Sequence, residues 1–413
     1  MARRDAKAPA AGDPPGRWRA LAILAGAMVL AMTTWFSAAA VLPQLVATWA
    51  LSPAEAAWLT IAVQLGFVMG ALASAGSGLA DAVAPRRLML IGAAGAAAAN
   101  ALLLVVPGAV AAITARGLTG FFLAAVYPPA LKAIATWFRR GRGVALGVMV
   151  GGISLGSATP HLIGAIGGAA WTWVVLVTSL LTLVGGLLAE FGTGDGPFPF
   201  PKSRFDPRQV GRALRNRGVR LASAGYFGHM WELYAMWAWF LAFFSDAMAS
   251  RDVADASRLA SLATFAVIGI GLAGCWVGGI LGDRWGRTKT TALALALSGA
   301  CAIAIGPLSG APIAVVLTVG LLWGFWVAAD SAQFSTMVTE LADAAYVGTA
   351  LTLQLALGFT LTVATIWLVP IAEAAVSWRW TFAILAAGPI LGIAAMARLA
   401  RLPEAGRIAG GRG

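Results

Sequence analysis

The chain has 413 residues, of which 60% are hydrophobic and 11% charged, and its mean hydropathy is +0.82. No water-soluble core absorbs that much apolar surface, so the composition excludes an ordinary soluble domain and points to a membrane protein. A formal charge of +12 suggests nucleic acid in a soluble chain, but here the basic residues fall in short gaps between apolar runs, a pattern that orients a membrane protein, and no nucleic-acid partner is expected.

Residues 1–19 read as a cytoplasmic tail with Arg3, Arg4, Lys7, Arg17 and Arg19. The apolar stretch behind them is too long for the core of a cleavable signal peptide and is read as the first helix. A spanning helix needs about 20 apolar residues, because the hydrocarbon is about 30 Å thick and each residue rises about 1.5 Å. Twelve stretches meet that demand, near 20–46, 54–80, 87–106, 109–137, 143–165, 171–191, 221–246, 258–282, 289–307, 312–337, 346–370 and 378–398. They predict an all-α polytopic membrane protein with a six-helix bundle over 20–191, a basic cytoplasmic linker over 192–220, a second six-helix bundle over 221–398 and a cytoplasmic tail over 399–413.

Alternate gaps carry the positive charge: Arg86 and Arg87; Arg139, Arg140 and Arg142; Arg284, Arg287 and Lys289. The opposite gaps hold Arg251, Arg258 and Arg379. Cationic loops resist translocation, so both termini are expected in the cytoplasm, with the protein integral to the plasma (cytoplasmic) membrane. After Pro197, Pro199 and Pro201 the linker carries Lys202, Arg204, Arg208, Arg212, Arg215, Arg217 and Arg220. From Pro207 to Arg220 it reads either as a short basic helix on the anionic inner leaflet or as a solvated connector. Cys275 and Cys301 lie in apolar runs without a CxxC pattern, so neither a disulfide framework, a metal site nor a cofactor is indicated.

The halves repeat in parallel. Gly120-Phe-Phe-Leu-Ala-Ala answers Gly324-Phe-Trp-Val-Ala-Ala, Gly143-Val-Ala-Leu answers Gly348-Thr-Ala-Leu, and Trp171-Thr-Trp173 answers Trp378-Arg-Trp380. The run Gly279-Ile-Leu281-Gly-Asp283-Arg284-Trp-Gly286-Arg287-Thr-Lys289 resembles the signature loop of the major facilitator superfamily between spans eight and nine. Ser77-Gly-Leu79-Ala-Asp81-Ala-Val-Ala84-Pro-Arg86-Arg87 is its degenerate first-half counterpart. The resemblance implies two pseudo-symmetric six-helix bundles, the major facilitator fold, around one pathway. It also implies that Asp283, Arg284 and Arg287 hold the cytoplasmic side shut in one conformation, Gly279 and Gly286 allowing close approach and a tight turn, with Asp81 and Arg86 as counterparts. The alternative for this loop is an ordinary positive-inside turn.

Tyr127-Pro-Pro129, Lys132, Ala135-Thr-Trp-Phe138, Arg140-Gly-Arg-Gly143, Leu42-Pro-Gln44 and Trp58-Leu-Thr-Ile-Ala-Val-Gln64-Leu-Gly66 resemble the branch grouped with nitrate, nitrite and cyanate porters. Gln64 stands where true nitrate porters carry an Arg, and Gly147-Val-Met-Val-Gly151-Gly152 lacks their Asn-containing glycine signature. The fifth span has Thr159-Pro160 in place of the Gly-Pro pair usual in drug/proton antiporters of the superfamily.

Charges inside hydrocarbon are costly and usually face a cavity or a partner. Arg116 lies inside the fourth span, in Arg116-Gly-Leu-Thr-Gly120, which resembles the family's fourth-span Arg motif. It is a candidate counter-charge for an anionic solute or a carboxylate; a buried ion pair or a helix-packing Arg is the alternative. Glu232 lies near the middle of the seventh span with His229 and Tyr226 three and six residues earlier, on one helix face. A carboxyl in hydrocarbon is cheaper uncharged and His titrates near neutrality, so Glu232 and His229 form the candidate proton site, or else a structural pair locking two helices. Gln64, Gln333 and Gln354 supply further polar atoms for a central path, and Asp330, nearer the cytoplasmic side, is assigned to a gate. Trp35, Tyr127 and Tyr234 are candidate lining rings, whereas most neighbours such as Phe36, Trp231, Trp237 and Trp239 are expected to pack or to face lipid. Lys132 is expected to snorkel to the interface and His161 to be a helix-contact residue.

Two patterns are set aside. Gly269-Ile-Gly-Leu-Ala-Gly274 fits a dinucleotide fingerprint but lies in an apolar span and follows no strand, and His229-Met-Trp-Glu232 lacks the second histidine a zinc site needs. The expectation is a non-enzymatic, monomeric secondary transporter that moves a small anionic solute by alternating access with protons as the coupled ion. A drug or metabolite exporter, or a non-transporting sensor on the same fold, is the alternative.

Overall fold

The protein is described by a computed structural model over residues 14–139, 141–166, 170–198, 206–249, 251, 253–343 and 345–412. Arg3, Arg4, Lys7, Arg140, Pro199, Pro201, Lys202 and Arg204, and the side chains of Asp81 and Arg142, lie outside the described set.

Among the described residues there is no strand. Lipid offers the backbone no hydrogen bonds, so the apolar runs satisfy their own N–H and C=O groups as helices. The crossings are α1 (Arg17–Ala31, continued by a 3₁₀ turn Met32–Thr34 and short helices Ser37–Ala40 and Leu42–Trp49), α2 (Pro53–Ser77), α3 (Pro85–Leu104), α4 (Ala109–Ala135), α5 (Arg142–Ile166) and α6 (Trp171–Gly192). After the linker come α7 (Arg217–Ala249), α8 (Ala256–Trp285), α9 (Arg287–Ile305), α10 (Ile313–Leu341), α11 (347–376) and α12 (378–399). Nine apolar stretches among the described residues qualify alone as membrane-crossing helices. The last of them, Val347–Leu399, turns at Ser377, φ 56°, and so crosses twice; the broken α1 and the long α7 complete the set.

Within the first six crossings α2 packs on α4, α3 on α4 and α6, and α1 on α5 and α6; within the last six α7 packs on α11 and α12, α8 on α10, and α9 on α10 and α12. The two sets meet through α5 against α8 and α2 against α11. The sequence repeat recurs as one contact. A Cβ at Gly120 of α4 would fall 2.0 Å from the Val63 carbonyl of α2, and a Cβ at Gly324 of α10 would fall 1.7 Å from the Val267 carbonyl of α8. Only a residue without a Cβ permits either approach.

By alternation, the loops bearing Arg86, Arg87, Arg139, Arg284 and Arg287 share one face with the linker and the tail; it is called the basic face below. There the linker forms a 3₁₀ turn Pro207–Gln209 and a short helix Val210–Arg215, and Asn216 caps α7 by accepting from the Val219 amide at 3.0 Å. The expected helix over 207–220 is therefore split, and its last turns belong to α7.

Candidate functional site

The sequence predicts one continuous helix over 20–46, but α1 is broken at its middle. Thr33 Oγ1 donates to the Leu30 carbonyl at 2.9 Å and Ser37 Oγ to the Thr34 carbonyl at 3.1 Å, local bonds that compete with the helix ladder. Irregular backbone at this depth survives only if other groups satisfy it. Arg116 of α4 does so: Nη1 donates to the Thr34 carbonyl at 2.8 Å and Nη2 to the Trp35 carbonyl. The rest of the guanidinium reaches the Leu59 carbonyl of α2 at 3.3 Å, Ser37 Oγ at 3.1 Å and Asn100 Oδ1 of α3 at 2.9 Å. Asn100 in turn donates to Ser179 Oγ of α6 at 3.0 Å. Arg116 is buried and has no carboxylate partner among the described residues; its donors go to neutral oxygens that hold four helices around the break.

The break turns Trp35 and Phe36 toward the second half. Their ring centroids lie 5.8 and 6.2 Å from Tyr234, and Phe36 lies 5.9 Å from Trp237, both on α7. Phe359 of α11 closes the group, 5.6 Å from Trp35 and 4.6 Å from Phe67 of α2. Tyr127 stands below it, 6.2 Å from Phe67. Trp35, Phe36, Phe67, Tyr234, Trp237 and Phe359 form one ring cluster contributed by both halves, and the most exposed of these six, Tyr234, shows 4% of its surface, so the cluster is shielded from both faces; with the partly buried Tyr127 it is the candidate chamber.

On the helices that carry these rings, several buried polar atoms have no hydrogen-bond partner: Trp35 Nε1, Trp237 Nε1, both amide atoms of Gln64 on α2, and Gln354 Nε2 on α11. Ser157 Oγ and both ring nitrogens of His161 on α5 are likewise buried and unpartnered. The two are four residues apart and share a helix face. His161 is therefore not held by hydrogen bonds in a helix contact, as the sequence suggested. Phe67, Phe359, Asn100 and Ser157 are not among the residues singled out from the sequence. Asn100 was signalled, as a lone amide in an alanine run, but the others look like ordinary span residues.

The expected proton pair is divided. Both oxygens of Glu232 are engaged inside the second half, by Trp323 Nε1 at 2.6 Å and Ser298 Oγ at 2.8 Å. His229 faces another partner: Nδ1 lies 2.8 Å from Asp330 Oδ1, at ion-pair distance with the ring N–H out of line, and Nε2 lies 3.2 Å from Ser331 Oγ. The reason is a break in α10 between Ala329 and Ser331, where Asp330 (φ −94°, ψ −10°) leaves the helical ladder and turns its carboxylate toward α7. Asp330 thus joins the buried histidine rather than the basic-face loops.

On that face, Gly286 adopts φ +112°, which reverses the chain between α8 and α9. Arg287 lies 3.2 Å from Asp283 and 3.0 Å from Glu340, and its Nη1 donates to Gln333 Oε1 at 2.8 Å. Gln333 also donates to the Gly278 carbonyl, which places it in this cluster and not in the chamber. The tail closes over the cluster: the Ala409 amide donates to Glu340 at 3.1 Å and Arg412 to the Asp283 carbonyl at 2.7 Å. Asp283 also reaches the first half, since a Cβ at Gly143 of α5 would lie 2.5 and 2.7 Å from its two carboxylate oxygens; Gly279 packs beside the Gly143 carbonyl. Arg284 is exposed without a partner among the described residues. Arg86 ties α3 to Asp195 at 3.0 Å and to carbonyls at the end of α6, all within the first half.

Among curated proteins, the chain is 32% identical over 184 residues to the puromycin resistance protein pur8 of Streptomyces alboniger, covering 42% of this chain and 36% of that one. It is 30% identical over 195 residues to the multidrug efflux pump LfrA of Mycolicibacterium smegmatis, covering 45% and 38%. The matches thus span little more than a third of these relatives' length. Neither is a nitrate, nitrite or cyanate porter, and that branch gains no support from them. The human organic anion transporter MFSD10 (TETRAN) superposes with a TM-score of 0.72 at 14% identity, over 93% of this chain and all of that one, and shows the same fold. The family profile of the Major Facilitator Superfamily matches residues 24–363, which take in the chamber, the buried pair and the signature loop, and the chain belongs to that superfamily.

Proposed function

We propose that the protein is a secondary transporter that exports a small amphipathic organic solute through the ring-lined chamber, opening it alternately to the two faces, in exchange for protons carried by His229 and Asp330. The supporting observation is the set of buried, unpaired polar atoms on the helices that line the chamber, on Trp35, Gln64, Trp237 and Gln354. Buried polar groups are normally paired, and each one left unpaired costs about 1–3 kcal/mol. A solute with flat apolar surface for the rings and a donor and acceptor for the amides recovers that cost. Export agrees with the names of the two curated relatives. The positive charge of the basic face supports a cytoplasmic position for it.

An anionic solute is favoured by one feature. Arg116 brings a buried positive charge with no carboxylate beside it among the described residues, and a solute carboxylate supplies the missing charge.

Inside-out vesicles separate these readings when a fluorescent aromatic carboxylate and a fluorescent aromatic ammonium are offered in parallel under an acid-inside gradient. One of the two is expected to accumulate, the carboxylate on the anionic reading. Gln64→Leu with Gln354→Leu is expected to lower the rate about tenfold at equal protein level. His229→Ala is expected to abolish gradient-driven accumulation while sparing downhill exchange. Wild-type rates in the double glutamine variant would overturn the chamber assignment, and accumulation indifferent to the gradient would overturn proton exchange.

A further inference from the structure

Away from the transport path, α7 and α12 carry the same five-residue pattern at the basic face. Arg217-Gly-Val-Arg220-Leu221 opens α7, and Arg398-Leu-Ala-Arg401-Leu402 runs off the end of α12. In α7 positions i, i+3 and i+4 share one helix face, and past the end of α12 the turn through Arg401 and Leu402 brings the second pattern to the same cavity. The helices run antiparallel and pack on each other, and the two patterns meet around this cavity, of about 340 Å³, lined by these six residues.

All four guanidinium groups are exposed, and none meets a carboxylate among the described residues. Like charges converging on neighbouring helices repel, and the cavity wall contains no acid to offset them, so a bound anion would relieve that repulsion. Arginine's planar fork matches phosphate oxygens bidentately, which the ammonium of lysine does not. Leu221 and Leu402 are half-buried and give the same cavity an apolar floor at the level where the apolar run of α7 begins. The lining thus suits a molecule that combines phosphate with hydrocarbon.

We propose that this groove binds an anionic phospholipid whose headgroup carries two phosphates, one for each arginine pair, with its acyl chains along α7 and α12. The site is independent of which solute crosses the protein. Basic pockets between helices at a membrane face are suited to such headgroups.

The test uses the purified full chain in detergent, titrated with diphosphatidylglycerol, phosphatidylglycerol, phosphatidylcholine and inorganic pyrophosphate, with native mass spectrometry and thermal unfolding as readouts. One diphosphatidylglycerol per chain is expected to be retained and to raise Tm, with phosphatidylglycerol weaker and phosphatidylcholine without effect. Arg220→Gln with Arg401→Gln is expected to weaken retention about tenfold. Arg220→Lys with Arg401→Lys, which keeps the charge, is expected to weaken it as well. Arg212→Gln with Arg215→Gln, on the neighbouring linker helix, is expected to leave it unchanged. Should the double glutamine variant fail to fold, Arg401→Gln alone, at the exposed end of α12, carries the comparison. Lysine variants that retain the lipid like wild type, or linker variants that lose it equally, would reduce the effect to general attraction by the face and overturn the site. Pyrophosphate bound as tightly as the lipid would overturn the lipid assignment.

Discussion

Arg116 supplies donors to five oxygens on three other helices, and no shorter or less branched cation does the same. Lysine carries three donors on one nitrogen, so Arg116→Lys keeps the charge but leaves carbonyls at the α1 break unpaired. The expected loss is about 3 kcal/mol of stability, seen as a lower Tm in detergent, with transport impaired for solutes of any charge because Trp35 loses its support. A residue acting only as counter-charge predicts the opposite, a lysine variant of near-normal stability. The sequence made Arg116 conspicuous because a lone charge in an apolar span is rare. Its partners were not legible, because three of the five are backbone carbonyls, which every residue carries.

At the scale of the helices, the apolar runs were read to within a few residues, since hydrocarbon thickness sets their length whatever the rest of the chain does. The breaks in α1 and α10 were not read. Hydropathy is blind to them, and their partners, Arg116 at the first and His229 beside the second, come from distant parts of the sequence. The breaks also decide the site: one presents Trp35 and Phe36 to the chamber, and the other turns Asp330 to α7. The α5–α8 contact gives a direct test of closure at the basic face. Gly143 leaves no room for a side chain beside Asp283, so Gly143→Ala must displace that carboxylate from the start of α5. Cys275 is buried in the same α5–α8 interface, a Cβ at Gly147 lying 2.7 Å from its carbonyl, and it reports on the change. With Cys301→Ser as background, maleimide labelling of Cys275 is expected to rise about tenfold in Gly143→Ala. Unchanged labelling would mean that Asp283 does not hold the two halves together.

For the molecule as a whole, the duplication makes the two inter-half contacts a single contact used twice, because advancing α2 and α5 by six crossings gives α8 and α11. Gly348 opens α11 as Gly143 opens α5, yet the signature pattern is intact only in the loop after α8 and degenerate in the loop after α2. The loop chemistry at the basic face is thus unequal between the pairs. At the opposite end the α2–α11 pair is closed by Trp58 and Trp367, whose rings lie 6.3 Å apart. On the proposed alternation, opening that end would part these two helices, while opening the basic face would take the start of α5 away from Asp283. The two events are separable. A short bifunctional thiol cross-linker between Trp58→Cys and Trp367→Cys, in a chain carrying Cys301→Ser, is expected to stop transport in the vesicle assay. The raised labelling of Cys275 caused by Gly143→Ala is expected to persist in the same cross-linked chain, because the basic face opens about the tether. Transport that continues under the cross-link would mean that the solute does not pass between the halves, and the chamber would then be packing and not a path.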